Sequence, residues 1–376
     1  MDFQQLRLSQ ENYLSVSENT TISTRKKALN QLRDAIKRRE SEIIEALYAD
    51  MQKSDFEAYS SEIGFIYQEI SHTLKHIDSW NRPQRVRTGL SLFPSSAKIY
   101  AQPYGKVLII APWNYPFQLL IAPLIAAIAA GNTALLKPSE LTPNTSKILA
   151  QLIQDTFDPA FIALVEGEGH TIVPEAINGY LPNLIFFTGS TAVGKIIAKS
   201  AAEYLIPCVL ELGGKSPCIV DKSANLKVAA QRIALGKGIN AGQTCVAPDY
   251  FIVHEDIKDA FISQLKETLI SFYYKDGKLN DYTQIVNEHH FKRLQKLLEN
   301  ATVIFGGKTF IEERRIEPTI VVGDSEHPLM QEEILVQFLR YLAFQIPKKF
   351  TTSLKNIPTH LVYTYSQTIP ISSKKL

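Results

Sequence analysis

Leu184-Ile-Phe-Phe-Thr-Gly-Ser-Thr-Ala-Val-Gly-Lys195 is the stretch whose reading decides the fold. An apolar run predicts a buried strand ending at Thr188. Gly189 and Ser190 carry a turn, and a helix begins near Thr191. Strand, turn and helix in that order aim free backbone N–H groups and the positive helix end at whatever lies above the strand, which suits a diphosphate. The segment lacks the full three-glycine dinucleotide fingerprint. On these residues alone it is equally a structural turn.

The sequence on either side has the same texture. Val107-Leu-Ile-Ile-Ala111 is a continuous apolar run of the kind found in a parallel sheet covered on both faces. Further short runs fall at Thr133–Leu136, Ile162–Glu166, Val209–Leu212 and Cys218–Val220, with helical stretches between several of them. This alternation predicts an α/β fold with a mostly parallel sheet. Upstream, Ile22 to Ala49 contains no Gly or Pro and repeats Leu29, Leu32, Ile36, Ile43 and Leu47 at helical spacing. A second amphipathic helix is predicted from Glu57 to Trp80, with Ile63, Ile66, Ile70, Leu74 and Ile77 on one face. Lys98-Ile-Tyr-Ala-Gln102 reads as a strand on a half-exposed surface.

The chain has 376 residues, 45% of them hydrophobic, enough for a large core divided among domains. Its 40 basic and 38 acidic side chains leave a net charge of +2, which gives no reason to propose nucleic acid or a membrane surface as partner. The apolar stretch Phe117–Ala130 is interrupted by Pro123 and too short for a bilayer, so a buried helix is expected. The first residues lack the basic-then-apolar pattern of a signal peptide. Cys208, Cys218 and Cys245 make a poor disulfide framework and suit a reducing cytoplasm. The eight histidines show no metal-ligand spacing, so no metal site is expected, and His289-His290 reads as solvated helix surface.

Four further segments carry chemistry. Cys245 lies in Asn240-Ala-Gly-Gln-Thr-Cys-Val-Ala-Pro248, whose small and polar residues leave room for a substrate to approach the sulfur. Two readings stand: a buried small hydrophobe, the ordinary state of such a cysteine, or a nucleophile favoured by a helix N-terminus or nearby cation. Cys208 and Cys218, in apolar strand-like sequence, keep the first reading. Glu211, in Val209-Leu-Glu-Leu-Gly-Gly-Lys215, enters from an apolar strand. Burial would raise its pKa and suit it as a general base, and a satisfied structural carboxylate is the competing reading. Asn114, in Ala111-Pro-Trp-Asn-Tyr-Pro116, is either a turn residue or an N–H donor to an oxyanion. Lys137 and Glu140, in Leu136-Lys-Pro-Ser-Glu-Leu141, are either solvated surface or within reach of a ribose at the sheet end.

Taken together and in this order, these motifs over about Thr24–Ile334 resemble the aldehyde dehydrogenase superfamily, in particular its class 3-like (fatty and aromatic aldehyde) branch. The resemblance implies a doubly wound Rossmann-type cofactor domain (residues 1–80 and 104–209), bridging oligomerisation strands (81–103) and an α/β catalytic domain (210–334). It implies NAD or NADP as cofactor, a small-molecule aldehyde as substrate and a cytoplasmic homodimer. Cys245 would attack the aldehyde carbon, Asn114 and the Cys245 N–H would hold the oxyanion, and Glu211 would activate the water that hydrolyses the thioester. Gly189, Ser190 and Gly194 would border the diphosphate. Lys137 and Glu140 would lie near the adenosine ribose, Trp113 would belong to the cofactor site, and Glu333 would reach the nicotinamide-side ribose. A coenzyme A-acylating enzyme and a non-catalytic remnant are the rival readings.

The resemblance breaks after Glu333-Ile334, where the family continues Phe-Gly-Pro and this chain reads Leu335-Val-Gln-Phe338. Writing Ile-Phe-Gly-Pro-Ile as ATT TTT GGT CCA ATT and deleting a single T yields Ile-Leu-Val-Gln and a codon starting TT, which matches Ile334–Phe338. Leu361-Val-Tyr-Thr-Tyr-Ser366, shifted by a base, can read Ser-Leu-Tyr-Leu-Phe-Thr. Residues 335–376 are therefore expected to be an out-of-frame tail that lacks the family's later Ser-Gly-Gly and Pro-Phe-Gly-Gly-type segments, leaving the catalytic domain short of packed strands and the chain poorly stable or inactive.

Overall fold

The computed structural model describes residues 1–299, 301–322, 329, 334, 338–344 and 364–365. The chain forms two compact units, Met1–Asp50 with Asp55–Leu212 and Met51–Ser54 with Gly213–Leu376.

The first unit opens with helices α1 (Phe3–Ser15), α2 (Ile22–Arg38) and α3 (Glu40–Met51). A short α4 (Asp55–Ala58) then runs through a π-helical turn, Tyr59–Ile63, into α5 (Gly64–Trp80). An antiparallel hairpin of β1 (Gln84–Val86) and β2 (Ala97–Ile99) follows. The alternating part comes next: β3 (Lys106–Ile110), α6 (Gln118–Ala130), β4 (Thr133–Lys137), α7 (Pro143–Thr156), β5 (Ile162–Leu164), α8 (Gly169–Glu175), β6 (Leu184–Gly189), α9 (Thr191–Ala202) and β7 (Cys208–Leu212). Strands β3 to β7 form one parallel sheet in the order β5-β4-β3-β6-β7.

Strand alternation divides the core between the two faces of this sheet. Val107, Ile109, Ala134 and Leu136 pack with α2, α3, α5, α6 and α7 on one side. Leu108, Ile110, Leu135, Ile185 and Phe187 pack with α1, α8 and α9 on the other. Residues buried on both faces explain why the strands read as unbroken apolar runs.

Two helices differ from their sequence reading. Ile22–Ala49 is not one helix: Arg39 (φ −109°, ψ 15°) interrupts it. The Arg39 N–H is shared between the carbonyls of Ala35 (3.2 Å) and Ile36 (3.1 Å). The second helix runs without a break through Trp80 but loosens into a π turn at Tyr59–Ile63, in which Glu62 is fully buried. The stretch around Lys98 is more exposed than expected, and Ile99 and Tyr100 lie open to solvent.

In the second unit, β8 (Pro217–Val220), α10 (Leu226–Gly238), β9 (Tyr250–His254) and α11 (Lys258–Tyr273) are followed by a small hairpin of β10 (Tyr274–Lys275) and β11 (Lys278–Leu279). After α12 (Glu288–Leu298) come β12 (Thr302–Phe305), a second hairpin of β13 (Thr309–Phe310) and β14 (Arg315–Ile316), then β15 (Thr319–Val322), β16 (Phe338–Phe344) and β17 (Thr364–Tyr365). The main sheet runs β12-β15-β16-β9-β8-β17. Helices α10 and α11 pack on one face with Val220, Phe251, Val253 and Ile320. Helix α12 packs on the other with Val321, Ile316 and Ile334.

Within residues 335–376, strand β16 joins the main sheet. Its backbone pairs in parallel with β15 on one side and β9 on the other. The sequence Phe-Leu-Arg-Tyr-Leu-Ala-Phe is rich in aromatics that suit a strand.

Candidate active site

Within the first unit, the chain steps outward from β3 through β4 to β5 and then returns to place β6 on the other flank of β3. Such a reversal opens a crevice outside the carboxyl ends of the two central strands, the usual binding place in this architecture. Ile110 pairs with Phe187 at those ends. The chain leaving β3 carries Trp113, half-buried, and Asn114, buried, while the chain leaving β6 carries Gly189 and Ser190. Lys137 ends the neighbouring β4, and Glu211 in β7 pairs with Thr188. One sheet edge thus collects these residues of the first unit named from sequence.

The helices on this edge differ in what meets their first-turn amides. At α6, Glu62 Oε2 accepts from the N–H groups of Phe117 (2.9 Å) and Gln118 (3.2 Å). At α7, buried Asp50 accepts from the backbone N–H groups of Asn144 (3.1 Å) and Thr145 (2.8 Å) and from the Thr145 hydroxyl (2.7 Å). At α8, Glu140 Oε1 accepts from the Gly169 N–H at 2.9 Å. Three of the four crossover helices therefore already hold a carboxylate. At α9 the cap is its own Ser190, whose Oγ accepts from Val193 N–H at 3.3 Å. The Thr191 and Ala192 N–H groups of that exposed first turn have no intrahelical acceptor. These residues fit the diphosphate of a dinucleotide, which is an anion for a helix N-terminus that no carboxylate occupies.

Gly194, in the next turn of α9, is buried, and a Cβ there would come within 2.6 Å of Leu212 Cδ2. Its smallness allows α9 to lie against β7. Lys137 is fully buried, and its Nζ donates to the Pro138 carbonyl (2.9 Å) and to Glu140. Burial pushes the Glu140 carboxyl up. The hydrogen bond from Lys137, those from the Glu140 and Gly169 N–H groups and the Lys137 charge outweigh it, and the net shift is downward. Lys137 and Glu140 are therefore an ion pair and not solvated surface.

Glu211 corrects the expectation of burial. Strand β7 lies at the edge of the sheet, and Val209 and Glu211 both point to its open face, where they are exposed. Glu333 lies outside the described residues.

The second unit holds Cys245. Helix α10 ends at Gly238, and the chain makes a tight turn in which Asn240 (φ 55°), Ala241 (φ 50°) and Gly242 (φ 76°) are all left-handed. For Asn and Ala this conformation costs on the order of 1–2 kcal/mol each and requires enforcement by the surroundings. Two fully buried side chains enforce it. Asn240 Nδ2 donates to the Gln243 carbonyl (3.1 Å), and Gln243 Nε2 donates to the Asn240 carbonyl (3.0 Å). Gln243 also donates to the Gln284 carbonyl (3.0 Å), and its Oε1 accepts from the Val286 N–H (3.1 Å). The small and polar run before the cysteine is therefore a clamped turn. Cys245 follows, half-buried, in a further turn before β9. Nearby, Lys215 forms an ion pair with buried Asp249 and donates to the Leu329 carbonyl at 2.7 Å.

The other cysteines keep their structural reading. Cys218 is buried in β8, and burial pushes its thiol up to about 11. Burial also raises Cys208. His290 departs from its reading as solvated surface: burial, then Arg293 and His289, lower it to about 4. Among the described residues, no three His, Cys, Asp or Glu side chains group as metal ligands would, and no helix is long and apolar enough to cross a membrane.

Sequence reading missed Asp50, Glu62 and Gln243. The first two lie in unremarkable helices. Gln243 stands inside the Cys245 motif, but its partners lie 41 and 43 positions downstream.

The profile of the "Aldehyde dehydrogenase family" matches residues 9–345, wider at both ends than the resemblance read from motifs. A 4,4'-diaponeurosporen-aldehyde dehydrogenase of Staphylococcus aureus is 48% identical over 89% of this chain and 73% of its own length. The aldehyde dehydrogenase family 3 member A2 of Mus musculus is 41% identical over 89% of this chain and 69% of its own. The solved substrate-bound Staphylococcus aureus AldH superposes with a TM-score of 0.87 at 46% identity, covering 91% of this chain and 75% of that one. Solved structures of the same fold hold NAD+. With its motifs in order, a doubly wound sheet and these matches, the chain belongs to the aldehyde dehydrogenase family, NAD(P)-dependent enzymes that oxidise aldehydes.

Proposed function

We propose that Cys245 is the nucleophile of this reaction, with Asn114 as oxyanion donor and Glu211 as general base. A clamped, left-handed turn leading to a half-buried sulfur carries this reading, because such strain persists only where the surroundings enforce it. The Cys245 thiolate adds to the carbonyl carbon, forming the C–S bond and moving the carbonyl π pair onto oxygen. The Asn114 side-chain N–H and the Cys245 backbone N–H hold that oxyanion. When the carbonyl re-forms, the former aldehyde hydrogen leaves with its electron pair, and the Cys245 sulfur is left in a thioester. The first turn of α9, the Lys137–Glu140 pair and Trp113 would hold NAD(P), which when bound would supply the hydride acceptor. Glu211 takes a proton from water as the oxygen attacks the thioester, releasing acid and restoring the thiolate. The exposure of Glu211 in its own unit suits a base that must meet water.

The test is direct. Cys245→Ala abolishes NADH formation, read as absorbance, while cofactor binding measured by calorimetry stays within about twofold. Turnover surviving in that variant overturns the assignment. Acid, and not an acyl-coenzyme A, is the expected product.

Identity to the family 3 member and to the diaponeurosporen-aldehyde enzyme supports the class 3-like branch, with medium or long aliphatic or aromatic aldehydes as substrates. A kcat/KM series from acetaldehyde to decanal and benzaldehyde tests this, and a preference for acetaldehyde refutes it. We also propose a cytoplasmic homodimer, its contact surface the β1–β2 hairpin that exposes Leu90 (94%), Leu92 (64%) and Phe93 (81%). The tail beyond Ile334 is proposed to be out of frame. Apart from the strands β16 and β17 it lies outside the described residues. The supporting observation is the replacement of Phe-Gly-Pro by Leu335-Val-Gln, and the gene's nucleotide sequence decides it. If no alternative frame beyond codon 334 encodes a family-like continuation, the frame proposal fails.

A further inference from the structure

We propose that Arg314 is a positioning residue for Cys245, acting through the segment 284–286 and the side chain of Gln243. This rests on the reading of Cys245 as nucleophile.

Gln243 holds the left-handed turn before Cys245, but it holds it against something: the carbonyl of Gln284 (3.0 Å) and the N–H of Val286 (3.1 Å). Those two groups belong to a buried segment that is neither helix nor strand, whose Gln284 N–H donates to the Met51 carbonyl at 2.8 Å. Arg314 holds it as well. Its Nη1 donates to the Val286 carbonyl (2.5 Å) and its Nη2 to Gln284 Oε1 (2.9 Å). Its own carbonyl accepts from the Ile285 N–H at 2.9 Å. One residue thus engages all three positions of the segment that Gln243 grips.

Arg314 is itself held in a left-handed conformation (φ 47°), in the turn between β13 and β14. That conformation turns its guanidinium and its carbonyl to the same segment. The hairpin closes behind it: the Glu317 N–H donates to the Lys308 carbonyl (3.0 Å), and the Lys308 N–H to Glu317 Oε2 (3.2 Å). A rigid two-stranded ribbon therefore sets the guanidinium, the guanidinium sets 284–286, and 284–286 sets Gln243 and with it the turn that presents the sulfur. A planar fork with several donors in fixed directions holds a carbonyl and an amide oxygen in one set geometry, which the freely rotating donors of an ammonium do not impose. Arg315, next along, reaches Gln52 (2.7 Å) and Glu313 (3.1 Å), not the segment, and serves as the neighbouring control.

The experiment compares wild type with Arg314→Ala, Arg314→Lys, Gln243→Glu and the double variant Arg314→Ala/Gln243→Glu, with Arg315→Ala as control. Three readouts are taken: kcat and KM for decanal with NAD+, the rate of iodoacetamide alkylation of the Cys245 peptide by mass spectrometry, and the melting temperature. Arg314→Ala is expected to lower kcat by about tenfold or more and change the Cys245 alkylation rate by a similar factor, with KM for NAD+ within about twofold. Added ethylguanidinium is expected to restore part of both, and lysine less than that. The double variant is expected to fall no further than the worse single one, because both act on one chain of contacts. Arg315→Ala leaves kcat and alkylation unchanged.

Unchanged kcat and alkylation in Arg314→Ala overturn the proposal. So does a loss of melting temperature with kcat per folded molecule intact, or full additivity in the double variant. Because alkylation is read on the Cys245 peptide without turnover, it separates this proposal from the assignment of the nucleophile, which Cys245→Ala tests alone.

Discussion

Cys218 sits in the sheet with its thiol pushed up to about 11, and Cys208 is raised as well, whereas Cys245 follows a strained turn and is half-buried. Thiolate is the reacting form. At pH 7.5 and limiting iodoacetamide, peptide mass spectrometry is therefore expected to find Cys245 labelled first, and labelling of Cys218 ahead of it contradicts the site. At Glu140 the folded-state pKa is depressed, so its contribution to stability is present above the unfolded value, about 4.3, and is lost as pH falls through the folded one. Melting temperatures taken from pH 6 down to 3 are expected to drop more steeply in wild type than in Glu140→Gln. Equal slopes would mean that the Lys137 pair does not set this titration. His290 has a lowered pKa too, so its contribution is complete above the unfolded value, about 6.5, and declines as pH falls toward about 4. The acid limb is expected to flatten in part in His290→Gln.

At the scale of helices and strands, the carboxylate caps make the sharpest forecast. Glu62→Ala strips the Phe117 and Gln118 amides at the start of α6 of their acceptor, and buried donors left without one cost on the order of 1–3 kcal/mol. Urea unfolding is expected to show a loss of that size, and Asp50→Ala a comparable one at α7. A change under about 0.5 kcal/mol would show that water replaces the cap. These same contacts mark where sequence reading stops. Strands β3, β4 and β6 are legible because burial on both faces requires unbroken apolar residues, as in Val107–Ile110 and Leu184–Phe187. The motifs around Asn114, Lys137, Gly189 and Cys245 are legible because each holds unusual residues in a short span. Glu62 caps a helix 55 positions away, and Asp50 one 94 positions away. Nothing in the composition of α3 or of the π turn before α5 distinguishes such a carboxylate from a solvated one. The break at Arg39 carries no Gly or Pro, and the exposure of Glu211 follows from the place of β7 at the sheet edge, which no local pattern encodes.

For the molecule as a whole, the tail and the hairpin matter most. Strand β16 stands between β15 and β9, so deleting it would open a gap inside a sheet and not trim an end. A chain stopped after Ile334 is expected to lose most of its soluble yield and much of its far-ultraviolet circular dichroism, and full retention of both would show that β16 is dispensable. The β1–β2 hairpin presents Leu90, Leu92 and Phe93 to solvent. Leu90→Asp with Phe93→Asp is expected to convert a dimer to a monomer in sedimentation velocity, with the melting temperature of the monomer unchanged within a few degrees. A dimer that survives both substitutions moves the contact elsewhere.

The place of β7 at the end of the first sheet has a practical consequence for anyone who cuts this protein. A fragment halted at Leu212 would carry a bare row of backbone donors and acceptors, flanked by Val209, with nothing charged but Glu211 to discourage a second fragment from stitching on. Isolated in that form, the first unit would be prone to self-association through that rim. Lysine at Val209 would be the first remedy.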